Sequence, residues 1–304
     1  MKEVRAEKPI KLPLPEEEWL GSGNLGCQGC GGVLALRYTL KALGKRVIIT
    51  IPACCWAVVA GFFPYTVFKL PTTQIAFEAT AACCAGIDAG LKSKGIEDIT
   101  VLGWAGDGGT ADIGIQALSG AAERNHNFLY VCYDNEAYMN TGGQKSGCTP
   151  LGAWTTTTPV GTKGYWKKSW KKNMPEIMAA HKIPYIATAS VSYPEDLIKK
   201  VNKAASIKGP KYIHILAPCP TAWGYSPEKT IAMGRLAVES CVYPLYEIEN
   251  GTVYKISKKP TKKLAVKEYL SIQGRFKHLP EEIIQQIQKN VDLEWEALLK
   301  KEQR

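Results

Sequence analysis

The stretch "DITVLGWAGDGGTADIGIQALSGAAERN" (residues 98–125) decides the fold. Its opening run, "DITVLGWAG" (98–106), is apolar and β-branched and reads as a strand buried on both faces. Gly106-Asp107-Gly108-Gly109 then turns tightly, and "TADIGIQALSGAAERN" (110–125) places apolar residues at helical spacing and ends on an asparagine. A strand passing through a glycine turn into a helix is a unit of a parallel sheet. Such a turn also has a chemical use. Glycines let the backbone approach a phosphate, and the new helix aims its free N–H groups at the anion. Asp107 adds a carboxylate that a phosphate would repel unless a cation lay between them. Alone, a Gly-Asp-Gly-Gly turn is more often only a turn.

The same alternation runs through most of the chain. "RVIITIP" (46–52), "NFLYVCYDN" (127–135), "PYIATASV" (184–191) and "PKYIHILAP" (210–218) read as further buried strands. "GVLALRYTLKALG" (32–44) and "PEDLIKKVNKAASIKG" (194–209) read as helices. The expected class is α/β, with an open, mainly parallel sheet and helices on both faces. Residues 1–250 form the binding domain in this reading. The more polar residues 251–304 form a C-terminal extension for subunit contacts, closing with a helix over "PEEIIQQIQKNVDLEWEALLKKEQ" (280–303).

Composition bounds the function class. The hydrophobic fraction of 45% and charged fraction of 22% are those of a globular protein. "MKEVRAEKPIKLPLPEEEW" (1–19) lacks the apolar core of a signal peptide, and no apolar run is long enough to cross a bilayer. A cytoplasmic protein without a membrane partner is expected. The formal charge is +10, and "KGYWKKSWKK" (163–172) interleaves lysines with aromatics as nucleic-acid binders do. A solvated basic face is the plainer reading, with a surface for an acidic protein as the other; no nucleic-acid partner is expected.

Ten cysteines remain to be explained in a compartment that keeps thiols reduced. Cys83, Cys84 and Cys132 sit in small-residue or apolar runs and read as packing residues, while Cys148 and Cys241 receive no role. Cys27 and Cys30 stand in the glycine-rich "NLGCQGCGG" (24–32). Cys54 and Cys55 follow the first strand, and Cys219 follows the last. A CxxC suits zinc, a redox disulfide or an iron–sulfur cluster. A zinc ribbon usually shows a second CxxC, and a thioredoxin-like motif follows a strand; neither feature is found here. Four thiolates from three loops at one edge of a sheet suit an iron–sulfur cluster.

Ligands in such sheets bind beyond the carboxyl ends of the strands. There the loop "YDNEAYMNTGGQ" (133–144) offers Asp134, Asn135, Asn140 and Thr141. Magnesium takes an octahedron of hard oxygens at roughly 2.1 Å, part protein and part phosphate. Asp107, the Asn135 amide oxygen and a main-chain carbonyl suit the protein half. With Gly106, Asp107 and Gly108 ahead of Asn135, the pattern resembles the thiamine diphosphate motif. That resemblance implies magnesium on Asp107, Asn135 and the carbonyl of Ala137, with Gly109, Asn140 and Thr141 also beside the cofactor.

The match then extends further. "CQGCGGVLALRYTLKALG" (27–44), "GDGGTADIGIQALSGAAERN" (106–125), "YVCYDNEAYMNTGGQKSG" (130–147), "TTTTPVG" (155–161) and "APCPTAW" (217–223) resemble the β subunit of 2-oxoacid:ferredoxin oxidoreductases, pyruvate synthase above all. The resemblance covers nearly the whole chain from about residue 20. It implies a 4Fe–4S cluster on Cys27, Cys30, one of Cys54 and Cys55, and Cys219; an ungapped alignment favours Cys55. It implies oxidative decarboxylation of a small 2-oxoacid, with electrons passed singly to the cluster and on to ferredoxin, and Asn140 stabilising charge on the adduct. An α-type subunit would carry the pyrimidine-binding domain, and a ferredoxin-like subunit the onward clusters. The chain departs from the pyruvate pattern at Asn24, where histidine is common. It departs again at "ACC" (53–55) in place of Thr-Gly-Cys, and at Trp56-Ala57, where a small apolar residue and glutamate are frequent. Its overall wording is similar to the oxalate oxidoreductase branch, so pyruvate with coenzyme A and oxalate without it stand level. The rival from another class, a zinc-dependent nucleic-acid-binding module, leaves both diphosphate loops unexplained. Colour separates the two: protein purified anaerobically should be brown, with broad visible absorbance, whereas a colourless preparation rich in zinc would support the rival.

Overall fold

The computed structural model describes residues 14–161, 164 and 166–303. Its strands are β1 (Val47–Pro52), β2 (Thr72–Ile75), β3 (Thr100–Gly106), β4 (Leu129–Asp134), β5 (Tyr185–Ser190), β6 (Lys211–Leu216), β7 (Leu245–Glu249) and β8 (Val253–Lys258). They form one sheet in the order β2-β1-β3-β4-β6-β5-β7-β8. The first six in that order are parallel, and β7 and β8 are added antiparallel. The sheet is therefore open and mainly parallel, as expected.

Burial on both faces explains the strands that were legible. Along β4, Leu129, Val131 and Tyr133 enter one core while Tyr130 and Cys132 enter the other. Alternate residues point to opposite faces, so both sets must be apolar and the run becomes continuous. Helices Gly31–Leu43 and Pro194–Ser206 cover the first face, and Thr80–Ser93 and Ile115–Glu123 the second. Cys84 and Cys132 are fully buried packing residues, whereas Cys83 is half-buried.

Three strands escape the sequence reading. β2 ("TTQI") and β8 ("VYKISK") are polar, partly exposed edge strands, and β7 joins β8 in a hairpin. The division at residues 250 and 251 falls in that hairpin's turn, where Asn250 (φ 51°) and Gly251 (φ 71°) are both left-handed. Residues beyond it thus continue the same sheet, and helix Glu281–Glu302 packs back through Ile287, Val291 and Leu298.

The single helix expected over 110–125 is two, Asp107–Ala111 and Ile115–Glu123. The break follows from tertiary bonds that local periodicity does not register. Asp112 accepts from the Tyr138 hydroxyl (2.7 Å), the Gly147 N–H (2.8 Å) and Lys172 (2.8 Å). Gly114 then passes so close to the carbonyl of Gly109 that an added Cβ would lie 2.0 Å from its oxygen.

Chain order reverses between β1 and β3, and β1, β3, β4 and β6 all end at one edge. The loops carrying Cys54-Cys55, Asp107, Asn135 and Cys219 leave from that edge. Among the described residues no helix is long and apolar enough to cross a membrane. Gly114→Ala should lower stability by about 1–3 kcal/mol through the backbone clash. Gly86→Ala, where an added Cβ meets nothing within 4 Å, should raise it by roughly 0.5–1 kcal/mol. Thermal denaturation checks both, and matching midpoints for the two variants would contradict the account of the helix break.

Candidate active site

Asp107 opens the short helix after β3 with its carboxylate buried. Ser146 donates its hydroxyl to Oδ2, while Oδ1 has no hydrogen-bond partner among the described residues. Burial, with the charge of Asp134 adding to it, pushes the Asp107 carboxyl well above the usual range. A buried oxygen left without a partner is costly, and a cation is what would relieve it.

The loop after β4 is wound by its own side chains. The Glu136 N–H donates to Asp134 Oδ1 (2.9 Å), and the Ala137 N–H to Asn135 Oδ1 (3.2 Å). Trp223 Nε1 donates to the Asn135 carbonyl (2.8 Å), and Thr149 to that of Glu136 (2.7 Å). The Ala137 carbonyl accepts nothing among the described residues. Asn140 and Thr141 lie exposed at the rim, Thr141 donating to Gln144 Oε1 (2.6 Å). The glycines have neighbours within the protein as well. A Cβ on Gly108 would meet Tyr138 at 2.4 Å, one on Gly109 would meet Phe77 at 3.0 Å, and one on Gly106 would meet the Tyr133 hydroxyl at 3.3 Å.

Beneath this loop lies a buried charge network that sequence reasoning missed. Asp134 accepts from Lys171 and pairs with His214 Nε2 (2.8 Å). Burial works against its ionisation, yet Lys171 and His214 outweigh it and hold the carboxyl well below the usual range. Glu136 takes Lys171 (2.8 Å) and Arg275 (2.5 Å). Asp134, Cys148 and His214 offer buried ligand atoms within 4.8 Å of one another. The Lys171 ammonium, however, already supplies the positive charge there.

The segment 163–172 is not a uniformly solvated basic face. Lys163 and Tyr165 lie outside the described residues. Lys167 donates to the Thr149 carbonyl, and burial depresses its ammonium to about 8. Lys172 donates to the Ala111 carbonyl (2.6 Å), and Lys171 is the counter-ion just described. A count of charges cannot distinguish a lysine spent inward from one facing water.

The three loops that carry the four expected cluster cysteines are tied to one another. Gly29 (φ 70°) turns the CxxC loop, with the Cys30 N–H donating to the Cys27 carbonyl (3.1 Å). Cys30 caps helix Gly31–Leu43, Cys55 begins helix Cys55–Val59, and Cys219 caps helix Pro220–Trp223. The Gly31 N–H donates to the Pro218 carbonyl (3.1 Å), and the Leu25 N–H to that of Val59 (3.1 Å), tying the three loops together. Burial pushes the Cys55 thiol up, helped by nearby Cys54, Cys219, Cys30 and Asp107. Burial likewise raises Cys219 to about 11, with Cys30 and Cys27 contributing. Cys54 is buried where Cys55 is half-buried, and near it the Tyr133 ring stacks on Trp104 at 5.4 Å.

Residues 60–215 match the family model described as thiamine pyrophosphate enzyme, C-terminal TPP binding domain. Over 98% of both chains, the sequence is 51% identical to ketoisovalerate oxidoreductase subunit VorB of Pyrococcus abyssi. It is also 51% identical to pyruvate synthase subunit PorB of Methanothermobacter thermautotrophicus, over 92% of this chain and 97% of that one. The chain belongs to the β subunits of thiamine diphosphate-dependent 2-oxoacid:ferredoxin oxidoreductases. The solved 2-oxoglutarate:ferredoxin oxidoreductase from Magnetococcus marinus shares the fold, with a TM-score of 0.58 over 72% of each chain at 23% identity. In this β subunit the matched segment contains Asp107, Asn135, Ala137, Asn140 and Thr141, whereas all four expected cluster cysteines lie outside it.

The unequal burial of the adjacent cysteines yields a prediction. Cys55→Ala should lose the four-iron spectrum or convert it to a three-iron form, and Cys54→Ala should retain it. Electron paramagnetic resonance reads both variants, the reduced protein for the four-iron signal and the oxidised protein for the three-iron one. The reverse pattern would make Cys54 the ligand, and loss in neither would remove this loop from the cluster.

Proposed function

We propose that this subunit holds magnesium and the diphosphate of thiamine diphosphate on Asp107, Asn135 and the Ala137 carbonyl, beside a 4Fe–4S cluster on Cys27, Cys30, Cys55 and Cys219. The observation that carries the reading is the buried, unpartnered Oδ1 of Asp107. With the free Ala137 carbonyl and the Asn135 amide it makes a set of hard oxygen donors suited to magnesium. Four thiols on three cross-tied loops suit iron, and metal charge would offset the raised thiol pKa values at Cys55 and Cys219.

When bound, thiamine diphosphate supplies the carbanion and the electron sink for decarboxylation, and the cluster accepts electrons one at a time. The chain's own residues do the rest. Ser146 fixes Asp107, leaving its other oxygen for the metal. Asn140, exposed at the rim, presents an amide to charge developing on the substrate. Tyr133 packs against both Gly106 and Gly32, filling the space between the diphosphate turn and the CxxC helix with a ring rather than water.

The activity needs partners: an α-type subunit bringing the pyrimidine-binding domain, a ferredoxin-like cluster subunit, and ferredoxin as acceptor in the cytoplasm. The relatives' names support an alkyl 2-oxoacid, pyruvate or ketoisovalerate, over oxalate; with such a substrate, coenzyme A would take the acyl group. The test is anaerobic dye reduction by the whole complex with pyruvate, ketoisovalerate, 2-oxoglutarate and oxalate, each with and without coenzyme A. Coenzyme A-dependent reduction with an alkyl 2-oxoacid is expected, and none from this chain alone. Oxalate turnover without coenzyme A would overturn the substrate assignment, and turnover by the isolated chain would overturn the need for partners.

A further inference from the structure

The turn that offers Asn135 and Ala137 is gripped from behind. Glu136, between them, sits at φ 63°, a conformation uncommon for any residue bearing a Cβ. Such backbone persists where its surroundings over-determine it. Here the Glu136 N–H, carbonyl and carboxylate are all engaged, by Asp134, Thr149, Lys171 and Arg275.

Arg275 lies 139 residues further along the chain. It is 3% exposed, and its Nε donates to Gln273 Oε1 (2.8 Å). The guanidinium lies 4.1 Å from the centre of the Trp223 ring, and the Trp223 N–H donates to the Asn135 carbonyl. The stacked pair thus holds two successive residues of the turn, one by its carboxylate and one by its main chain. The pair is itself anchored, because the Gly274 N–H donates to the Gly224 carbonyl (3.0 Å) and the Trp223 N–H to that of Cys219 (2.9 Å).

We propose that Arg275 and Trp223 are positioning residues that set the magnesium affinity of the Asn135–Ala137 turn without touching the metal. The inference rests on the magnesium site proposed above. Groups that orient metal ligands typically change affinity by about 10–100-fold when removed. Removing Arg275 would also leave Glu136 with Lys171 alone, which Asp134 shares.

The experiment uses the whole complex, stripped of magnesium and thiamine diphosphate with a chelator. Magnesium is then titrated at fixed thiamine diphosphate, and cofactor binding is followed calorimetrically alongside turnover, cluster absorbance and thermal midpoint. Arg275→Gln and Trp223→Phe should each raise the half-saturating magnesium concentration about tenfold or more. Turnover should recover as magnesium saturates, with cluster absorbance unchanged. Arg275→Lys, which keeps the charge but not the planar fork, should fall between. Asp107→Asn is the control for the site itself. If Asp107→Asn binds magnesium and cofactor normally, the metal site is wrong and the proposal falls with it. If Asp107→Asn is impaired while both Arg275→Gln and Trp223→Phe titrate like the parent, the site stands and the positioning role is overturned. Should Arg275→Gln fail to assemble, Trp223→Phe decides by the same criterion.

Discussion

Two aspartates near the ends of neighbouring strands, Asp107 and Asp134, are buried close enough to feel each other's charge, and the site is organised around their unequal treatment. Asp134 is supplied with Lys171 and His214 and stays ionised despite its burial. Asp107 receives only a hydroxyl, and its free oxygen is raised in energy by the same burial. Asp134 is finished within the chain, whereas Asp107 keeps one oxygen open, the oxygen to which the magnesium proposed above would bind. Coulombic repulsion between them sharpens the difference, since each uncompensated charge penalises the other. The loop after β4 inherits this arrangement, because the lysine that neutralises Asp134 also holds Glu136.

Much of this architecture was legible because it is local. β3, β4, β5 and β6 are apolar on both faces, so periodicity finds them directly. β2 and β8 are edge strands with polar faces and carry no comparable signal. The glycine turn, the Asn135 loop and the CxxC could be read because each is a contiguous pattern tied to strand ends. Lys171, Trp223 and Arg275 could not. Their partners lie 35 or more residues away, and a sequence states a charge or an indole without stating what it will meet. The split at Asp112 has the same origin, since its bonds to Tyr138, Gly147 and Lys172 override helical periodicity.

The strong basic balance has a related lesson. A formal charge of +10 suggests a surface designed for polyanions, yet Lys167, Lys171 and Lys200 are committed to interior carbonyls and carboxylates. These ammonium groups act as structural donors, each neutralising a carboxylate or satisfying a carbonyl that burial would otherwise leave unpaired. The number of lysines therefore overstates how many face outward, although the net charge already subtracts the carboxylates they pair with.

The main-chain bonds from Gly31 to Pro218 and from Leu25 to Val59 also bear on the order of assembly. In small metal domains the ion organises an otherwise unfolded chain, so metal binding and folding are one event. Here the three cysteine loops are cross-tied through peptide groups, and the sheet beneath them is covered on both faces. On the reading proposed above, the cluster would therefore add to loops that peptide groups already hold together, and its loss to oxygen would leave those ties in place.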